Sequence, residues 1–245
     1  CACNQGARLG DADYVLFLNP DVRLSPASLA EPIAFLERNR HAAICGIRLT
    51  DANGEVSTAC ARLPRPARLL HQIVGLDKLC PRLFSPRFMS AAELRHSGPV
   101  EQVSGACFFV RRQVYESLQG FDERFFMYYE EVDFSLRARS LGHASYYLGT
   151  ATATHLGGVC SGRVKGRRLF YVLRSRLAFA MKHFPRPAFL CILWATLVLE
   201  PWTRLAWACL RGSFAEVKHT AEAYKFLYSY LIGSRSAAIL QNGRT

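Results

Sequence analysis

The run Tyr14-Val15-Leu16-Phe17-Leu18 restricts the possible folds of this chain more than any other stretch. It is five apolar residues without alternation, closed by Asn19-Pro20-Asp21. A strand apolar on both faces must be covered on both, which predicts a central strand of a parallel sheet in an α/β protein. Such sheets bind ligands beyond the carboxyl ends of their strands, where Asn19 and Asp21 fall. Pro20 fixes its own φ and holds Asn19 extended, so the two polar side chains keep a defined relation. Asp21 offers oxygen to a hard cation such as Mg²⁺ or Mn²⁺. An Asx turn is the competing reading of the same tripeptide.

A second stretch, residues 119–139, sets Asp122, Glu123, Glu130, Glu131 and Asp133 among large aromatics. Acids beside Phe and Tyr are expensive to desolvate, so fold stability alone is a poor reason for them. Residues 131–139 have helical spacing, with Gly142 as a stop. Glu130 and Glu131 then lie in the first turn, where the macrodipole favours negative charge. Glu130, Phe134 and Arg137 share a face, and Glu131 points about 100° away. One acid is therefore expected to do chemistry while others hold it. The competing reading is an acidic helix start with a surface Asp133–Arg137 pair, worth a few tenths of a kcal/mol.

Around these stretches the chain reads as alternating elements. Ser25 and Pro26 open a helix as N-cap and first position, running to about Arg40 with Leu29, Ile33 and Leu36 inward. A short strand covers 43–49, and Asp51 to Gly54 is a turn. Residues 62–99 form a long excursion with a short helix over 69–79, a length typical of binding segments. Residues 100–110 read as a strand interrupted by Ser104-Gly105-Ala106, where small residues mark a bulge or the close approach of a ligand. A helix over 112–118 leads to the acidic stretch. Strands over 144–148 and 151–154 end at His155, which precedes Gly157-Gly158. Neutral imidazole is a common metal ligand; a purely structural histidine is the competing reading.

Charge and cysteines narrow the class. The net charge of +12 is uneven, with eight Lys or Arg and no acid over residues 163–186. That block suits phosphates of nucleic acid, anionic lipid or a diphosphate-linked substrate, or is a solvated face. No RNA- or DNA-binding motif accompanies it, so nucleic acid is not expected as a partner. Nine scattered cysteines without a Cys-x-x-Cys pair argue against zinc and a disulfide framework, and for a reducing compartment. Residues 169–183 form a basic amphipathic helix, broken by Pro185 and Pro187. Residues 188–199 are uncharged but too few to span a bilayer, which takes about 20. Glu200-Pro201 follows. Trp194, Trp202 and Trp207 with Arg204 and Arg211 suit a segment lying in the membrane interface. A buried helical hairpin is the alternative.

LNPD at residues 18–21, VSGACFFVRR at 103–112, GFDERFFMYYEEVDFSLRAR at 120–139, and His155 closing a strand together resemble the family 2 glycosyltransferases, in particular their rhamnosyltransferase-like group. The resemblance covers roughly residues 2–183. It implies an α/β fold of the GT-A type, Rossmann-like and nucleotide-sugar-binding, over residues 1–165, with a helical appendage over 166–245. The domain is expected to lack the family's first strands, since the match starts just before the metal strand. Asp21 is the implied metal ligand, with neutral Asn19 in place of a first carboxylate, and His155 completes the site for a divalent cation, Mg or Mn. The family's catalytic pair falls on Glu130-Glu131, the second being the usual base, here Glu rather than Asp. Asn4 matches the Asn of the helix before the metal strand. Asn4, Asn19, Ser104, Gly105, Ala106, Asp133 and Arg137 are candidate donor- or acceptor-binding positions.

The implied activity is inverting transfer of a hexose, rhamnose or similar, from a nucleotide-diphosphate donor. The implied acceptor is a polyprenyl-linked saccharide or a cell-surface polysaccharide, reached from the cytoplasmic face of the inner membrane by a peripheral protein on an anionic surface. A non-catalytic glycosyltransferase-like subunit is the alternative.

Overall fold

The computed structural model describes residues 2–57, 59–156 and 164–242, with side chains to 233. Gly157-Gly158 and Arg163, noted above, lie outside the described residues. In chain order the elements are α1 (Ala2–Ala7), β1 (Tyr14–Leu18), β2 (Val22–Arg23), α2 (Pro26–Arg38), β3 (Ala42–Thr50), β4 (Cys60–Ala61), α3 (Pro66–Val74) and α4 (Leu76–Leu79). There follow β5 (Gly98–Val100), β6 (Gln102–Val103), β7 (Cys107–Arg111), α5 (Arg112–Ser117), α6 (Glu130–Ser140), β8 (Ala144–His155), α7 (Lys165–His183), α8 (Arg186–Trp194), a π-helical turn (Ala195–Leu199), α9 (Glu200–Leu210) and α10 (Phe214–Asn242).

These elements form two compact units. One takes the described residues up to Arg65 and those from Ser85 to 156; the other takes Pro66–Phe84 and the residues from 164. The second unit thus includes part of the 62–99 excursion as well as the C-terminal helices.

The first unit is built on a sheet of order β1-β7-β3-β8-β2, with β5 also pairing β8. Only β3 and β8 run parallel; the other pairs are antiparallel. The expectation of a central parallel strand for residues 14–18 is therefore corrected. β7 returns in the opposite sense against β1, matching Leu16 to Phe109, and β1 has no second partner among the described residues. Its side chains are half-buried, and Leu18 is exposed. The strands expected over 144–148 and 151–154 are one, β8. Ile44, Cys45, Ile47, Phe108, Phe109, Val110 and Tyr147 fill the core. Each large apolar side chain so buried stabilises by about 1.5–3 kcal/mol.

Ser25 and Ser28 form the capping box of α2, with Pro26 at its start, as the sequence suggests. The buried line, however, is Ser28, Pro32 and Leu36, and Leu29 is exposed. The rotation of the helix is set by the Ser28 hydroxyl, which donates to the Thr152 carbonyl at 2.6 Å.

The second unit is helical. Leu69 and Ile73 of α3, Leu173 and Leu177 of α7, Ile192, Ala195, Tyr224 and Leu227 make its core. Pro185 ends α7 as expected, but Glu200-Pro201 does not interrupt the next helix, which runs unbroken from Arg186 to Leu210. Proline at 201 removes the N–H that would bond the Leu197 carbonyl four residues back. The π turn absorbs the ring, and the Tyr228 hydroxyl donates to that carbonyl at 2.6 Å. This helix of 25 residues is long and apolar enough to cross a bilayer, although only 22 % of its most apolar window is buried. Glu200 is buried between Arg176 and Arg204, with Thr196 also bonded to Arg176.

Candidate active site

Pairing of β2 with β8 sets Val22 opposite His155, and the Leu156 N–H donates to the Asp21 carbonyl at 3.0 Å. This register brings Oδ1 of Asp21 within 3.3 Å of His155 Nε2, both side chains partly exposed. The separation is compatible with two ligands of one small cation, whose metal–oxygen distances are about 2.1 Å. Among the described residues no cluster of three or more metal-binding side chains occurs. The pair therefore fits a cation that draws its other ligands from water and substrate phosphates, as Mg²⁺ commonly does.

The turn after β1 is tied to the turn before β7. The Asn19 N–H donates to the Ala106 carbonyl at 2.9 Å, and Ser104 Oγ accepts from the Ala106 N–H at 3.2 Å. The interruption at Ser104-Gly105-Ala106 is thus a turn between β6 and β7. At Gly105 a Cβ would lie 3.6 Å from Cγ of Glu131, so the backbone passes directly against that side chain. Asn19, Gly105, Glu130 and Glu131 all line one cleft of about 460 Å³, together with Cys3, Tyr14 and Phe121 among others.

Of the five acids in the aromatic stretch, three are occupied. Asp122 pairs with Arg124 at 2.5 Å, Glu123 accepts from Asn4 Nδ2 at 2.9 Å, and Asp133 pairs with Arg137 at 2.7 Å. Glu130 and Glu131 differ: each keeps one carboxylate oxygen buried without a hydrogen-bond partner. Burial, followed by the charge of Glu131, pushes Glu130 up to about 8. Burial also raises Glu131, opposed first by the positive charge of Arg87. Both shifts persist at a helix N-terminus, where the dipole alone would favour the charged form. Burial that raises a carboxyl in this way is one means of tuning it for proton transfer near neutrality.

Entry to α6 is strained. Tyr128 and Tyr129 have φ of 64° and 70°, a left-handed conformation uncommon for bulky side chains. The helix is fixed from below by Phe134, which packs edge-on to Phe108 at 5.8 Å and stacks on Tyr115 at 5.7 Å.

Three predicted binding residues turn out to hold the loop that leads into α6. Asn4 is buried; it donates to the Phe121 carbonyl and accepts from the Phe121 N–H and the Tyr115 hydroxyl. It stands where Gly120, at φ +73°, has no side chain: a Cβ there would meet Asn4 Oδ1 at 2.7 Å. Asp133 has no exposed surface, so its pair with Arg137 is buried rather than on the surface. Arg137 also donates to the carbonyls of Leu118 and Gly120, at 2.7 and 2.8 Å. With their bonding groups committed inside the protein, Asn4 and Asp133 are not free to contact a ligand.

Two contributors escaped sequence reading. Gln102 donates to Glu131 Oε1 at 3.4 Å, and Arg87 sets its guanidinium over the Tyr129 ring, 4.5 Å from the centroid. Neither stands in a recognisable motif. Both reach the acids only through pairing in a small second sheet.

A mixed α/β sheet, a carboxylate–imidazole pair beside a strand end and a buried carboxylate pair lining one cleft accord with the glycosyltransferase class that the sequence resembles. The chain belongs to the glycosyltransferase like family 2, whose family model matches residues 2–188. Over 166 residues it is 32 % identical to an N-acetylglucosaminyl-diphospho-decaprenol L-rhamnosyltransferase of Mycobacterium tuberculosis, covering 64 % of this chain and 53 % of that protein. It is 26 % identical over 151 residues to the rhamnosyltransferase WbbL of Escherichia coli, covering 60 % and 54 % respectively. The chain thus spans about half the length of these curated relatives. Among solved structures, a mannosyltransferase from Pyrobaculum calidifontis in complex with GDP-Man and Mn²⁺ aligns with 98 % of this chain and 59 % of its own, at 13 % identity and a TM-score of 0.46.

Proposed function

We propose that this chain carries the catalytic centre of an inverting glycosyltransferase. It moves rhamnose or a similar hexose from a nucleotide-diphosphate donor to a lipid-linked or cell-surface glycan acceptor. The observation that carries this reading is the Glu130–Glu131 pair, the two acids of the stretch that line the cleft and each hold a buried, unpartnered oxygen.

Glu131 is the base. Gln102 orients its Oε1, and the Arg87 charge favours its ionised form over that of Glu130. As the acceptor hydroxyl oxygen bonds to the anomeric carbon, Glu131 takes its proton and the diphosphate departs from the opposite face with the bonding electrons. One displacement inverts the centre, through an oxocarbenium-like state. Such a base contributes roughly 10²–10⁴-fold. A divalent cation held by Asp21 and His155 would supply charge stabilisation for the departing diphosphate. Asn19 and Gly105 line the cleft and, with Ser104 and Ala106 of the same turn, are read as the surface against which donor and acceptor lie.

The helical unit is read as the membrane-associated part. It holds seventeen Lys and Arg against four acids, while the rest of the chain holds fourteen against fifteen. Leu190, Trp194, Val198 and Trp202 recur every fourth residue and are all exposed, the tryptophans at 57 % and 70 %. Glu200, on the same helix, is buried against Arg176 of α7. A helix with one face committed to its own unit and the other carrying Trp suits the cytoplasmic interface of an anionic membrane better than a crossing.

The test is transfer of labelled sugar from a nucleotide-diphosphate rhamnose to N-acetylglucosaminyl-diphospho-polyprenol, by the wild-type chain and Glu131→Gln. Transfer that falls by about 10²-fold or more in the variant supports the assignment; unchanged turnover removes Glu131 from the role.

A further inference from the structure

The small second sheet brings Gln102 to Glu131 and Arg87 to Tyr129, two residues before it, from opposite edges of one strand. On one edge of β4, Ala61 pairs with Gln102 of β6. On the other, Ala61 bridges to Phe88, the Arg62 N–H donates to the Arg87 carbonyl at 2.8 Å, and the Met89 N–H donates to the Cys60 carbonyl at 3.1 Å. Residues 87–89 thus lie along the free edge of β4, bridged to it at Phe88 and level with Gln102. The Arg87 side chain is folded over Tyr129, the residue directly before the glutamate pair. Arg87 is only 9 % exposed, and its Nε is buried without a hydrogen-bond partner. A buried guanidinium left short of partners destabilises a fold, so its placement calls for a reason outside folding.

We propose that Arg87 is a positioning residue for the catalytic base, its guanidinium held by the Tyr129 ring so that its charge keeps the Glu131 carboxylate ionised and aimed at the cleft. This rests on the reading of Glu131 as the base. Glu130 is the ionisable neighbour on α6; Gln102 on β6 and Gly105 on the neighbouring turn are neutral. Arg87 is the largest influence against burial, ahead of the backbone N–H groups at the start of α6, so without it Glu131 holds its proton to higher pH.

The experiment reads Glu131 itself, in the full chain labelled with ¹³C at the glutamate carboxyls, its signal assigned by loss in Glu131→Gln. The expected result is that Arg87→Gln raises the titration midpoint of Glu131 by about one pH unit or more, Arg87→Lys by less, and that the acid limb of transfer moves with it. An unmoved midpoint in Arg87→Gln, or equal shifts in the two variants, overturns the proposal. If Arg87→Gln fails to fold, Arg87→Met, of similar length and without charge, takes its place: a raised midpoint supports the proposal and an unmoved one refutes it. The titration needs no sugar transfer, so failure of the base assignment and failure of the Arg87 coupling are read separately.

Discussion

Oδ1 of Asp21 and Nε2 of His155 lie 3.3 Å apart across 134 residues of sequence, because a two-residue strand pairs with the end of β8. Shared ligation predicts that the two are not independent. Asp21→Ala and His155→Ala should each weaken Mn²⁺ binding by tenfold or more, about 1.4 kcal/mol, and the double variant should lose little beyond either. Calorimetric titration with Mn²⁺ checks this; unchanged binding in Asp21→Ala would refute the metal assignment.

Glu130 gives the fold a pH dependence whose sign follows from its raised midpoint. The unfolded chain ionises this carboxyl near the ordinary glutamate value of 4.5, while the folded protein holds the proton to about 8. Its contribution to stability is therefore undiminished below pH 4.5 and declines as pH rises from there towards 8. Glu130→Gln should flatten that decline and leave the variant more stable than wild type at pH 8, by about 1 kcal/mol or more. Urea midpoints at pH 5 and pH 8 give the comparison. Parallel changes in the two proteins would show that Glu130 is not the group responsible.

The Asn4–Gly120 contact predicts two losses of stability with one origin. Asn4→Ala leaves the Phe121 N–H and carbonyl and the Tyr115 hydroxyl without a shared partner, at a cost of about 2–4 kcal/mol. Gly120→Ala combines a left-handed φ with a contact at 2.7 Å and should cost about 2 kcal/mol or more. Because the clash is with Asn4, the two effects should be non-additive in chemical denaturation.

Pro201 and Tyr228 should couple for a related reason. Tyr228→Phe removes a donor to the Leu197 carbonyl, which cannot receive an N–H from Pro201. Restoring an N–H with Pro201→Ala should make the hydroxyl dispensable. A double-mutant cycle should return a coupling of about 0.5–1.5 kcal/mol; a value of zero would mean that the π turn alone accommodates the proline.

The exposed tryptophans offer a direct test of membrane association. Replacing Trp194 and Trp202 together by Glu should abolish sedimentation with vesicles rich in phosphatidylglycerol without altering thermal unfolding. Wild-type binding should weaken at high salt, where the lipid charge is screened. Undiminished sedimentation of the double variant would place the contact elsewhere.

Much of the chemistry is legible locally. Asn19-Pro20-Asp21, the Glu130-Glu131 pair and His155 stand out because each sits at the end of an element that its own residues define. The capping box at Ser25 is equally local. What escaped depends on distant pairing. β1 looks like a central strand because its composition fits two covered faces, but the sense of β7 is not written in Tyr14–Leu18. Leu29 looks inward until the Ser28 hydroxyl finds a carbonyl 124 residues away. Pro201 reads as a break until Tyr228 takes the carbonyl it releases. Arg87 and Gln102 belong to no motif; only a two-residue strand, too short to be predicted from pattern, carries them to Glu131.

The paired left-handed residues ahead of α6 carry a consequence for anyone seeking a sturdier version of this protein. Tyr128 is the sort of position where Gly or Asn relaxes the backbone, and a selection for heat resistance should find such changes early, whereas Tyr129 is buried and its ring is needed for packing. Tyr129 also carries the ring beneath Arg87, so slackening this corner would loosen the carriage of both glutamates. Thermal robustness and turnover should trade against each other here, within two adjacent side chains, more sharply than anywhere else in the chain.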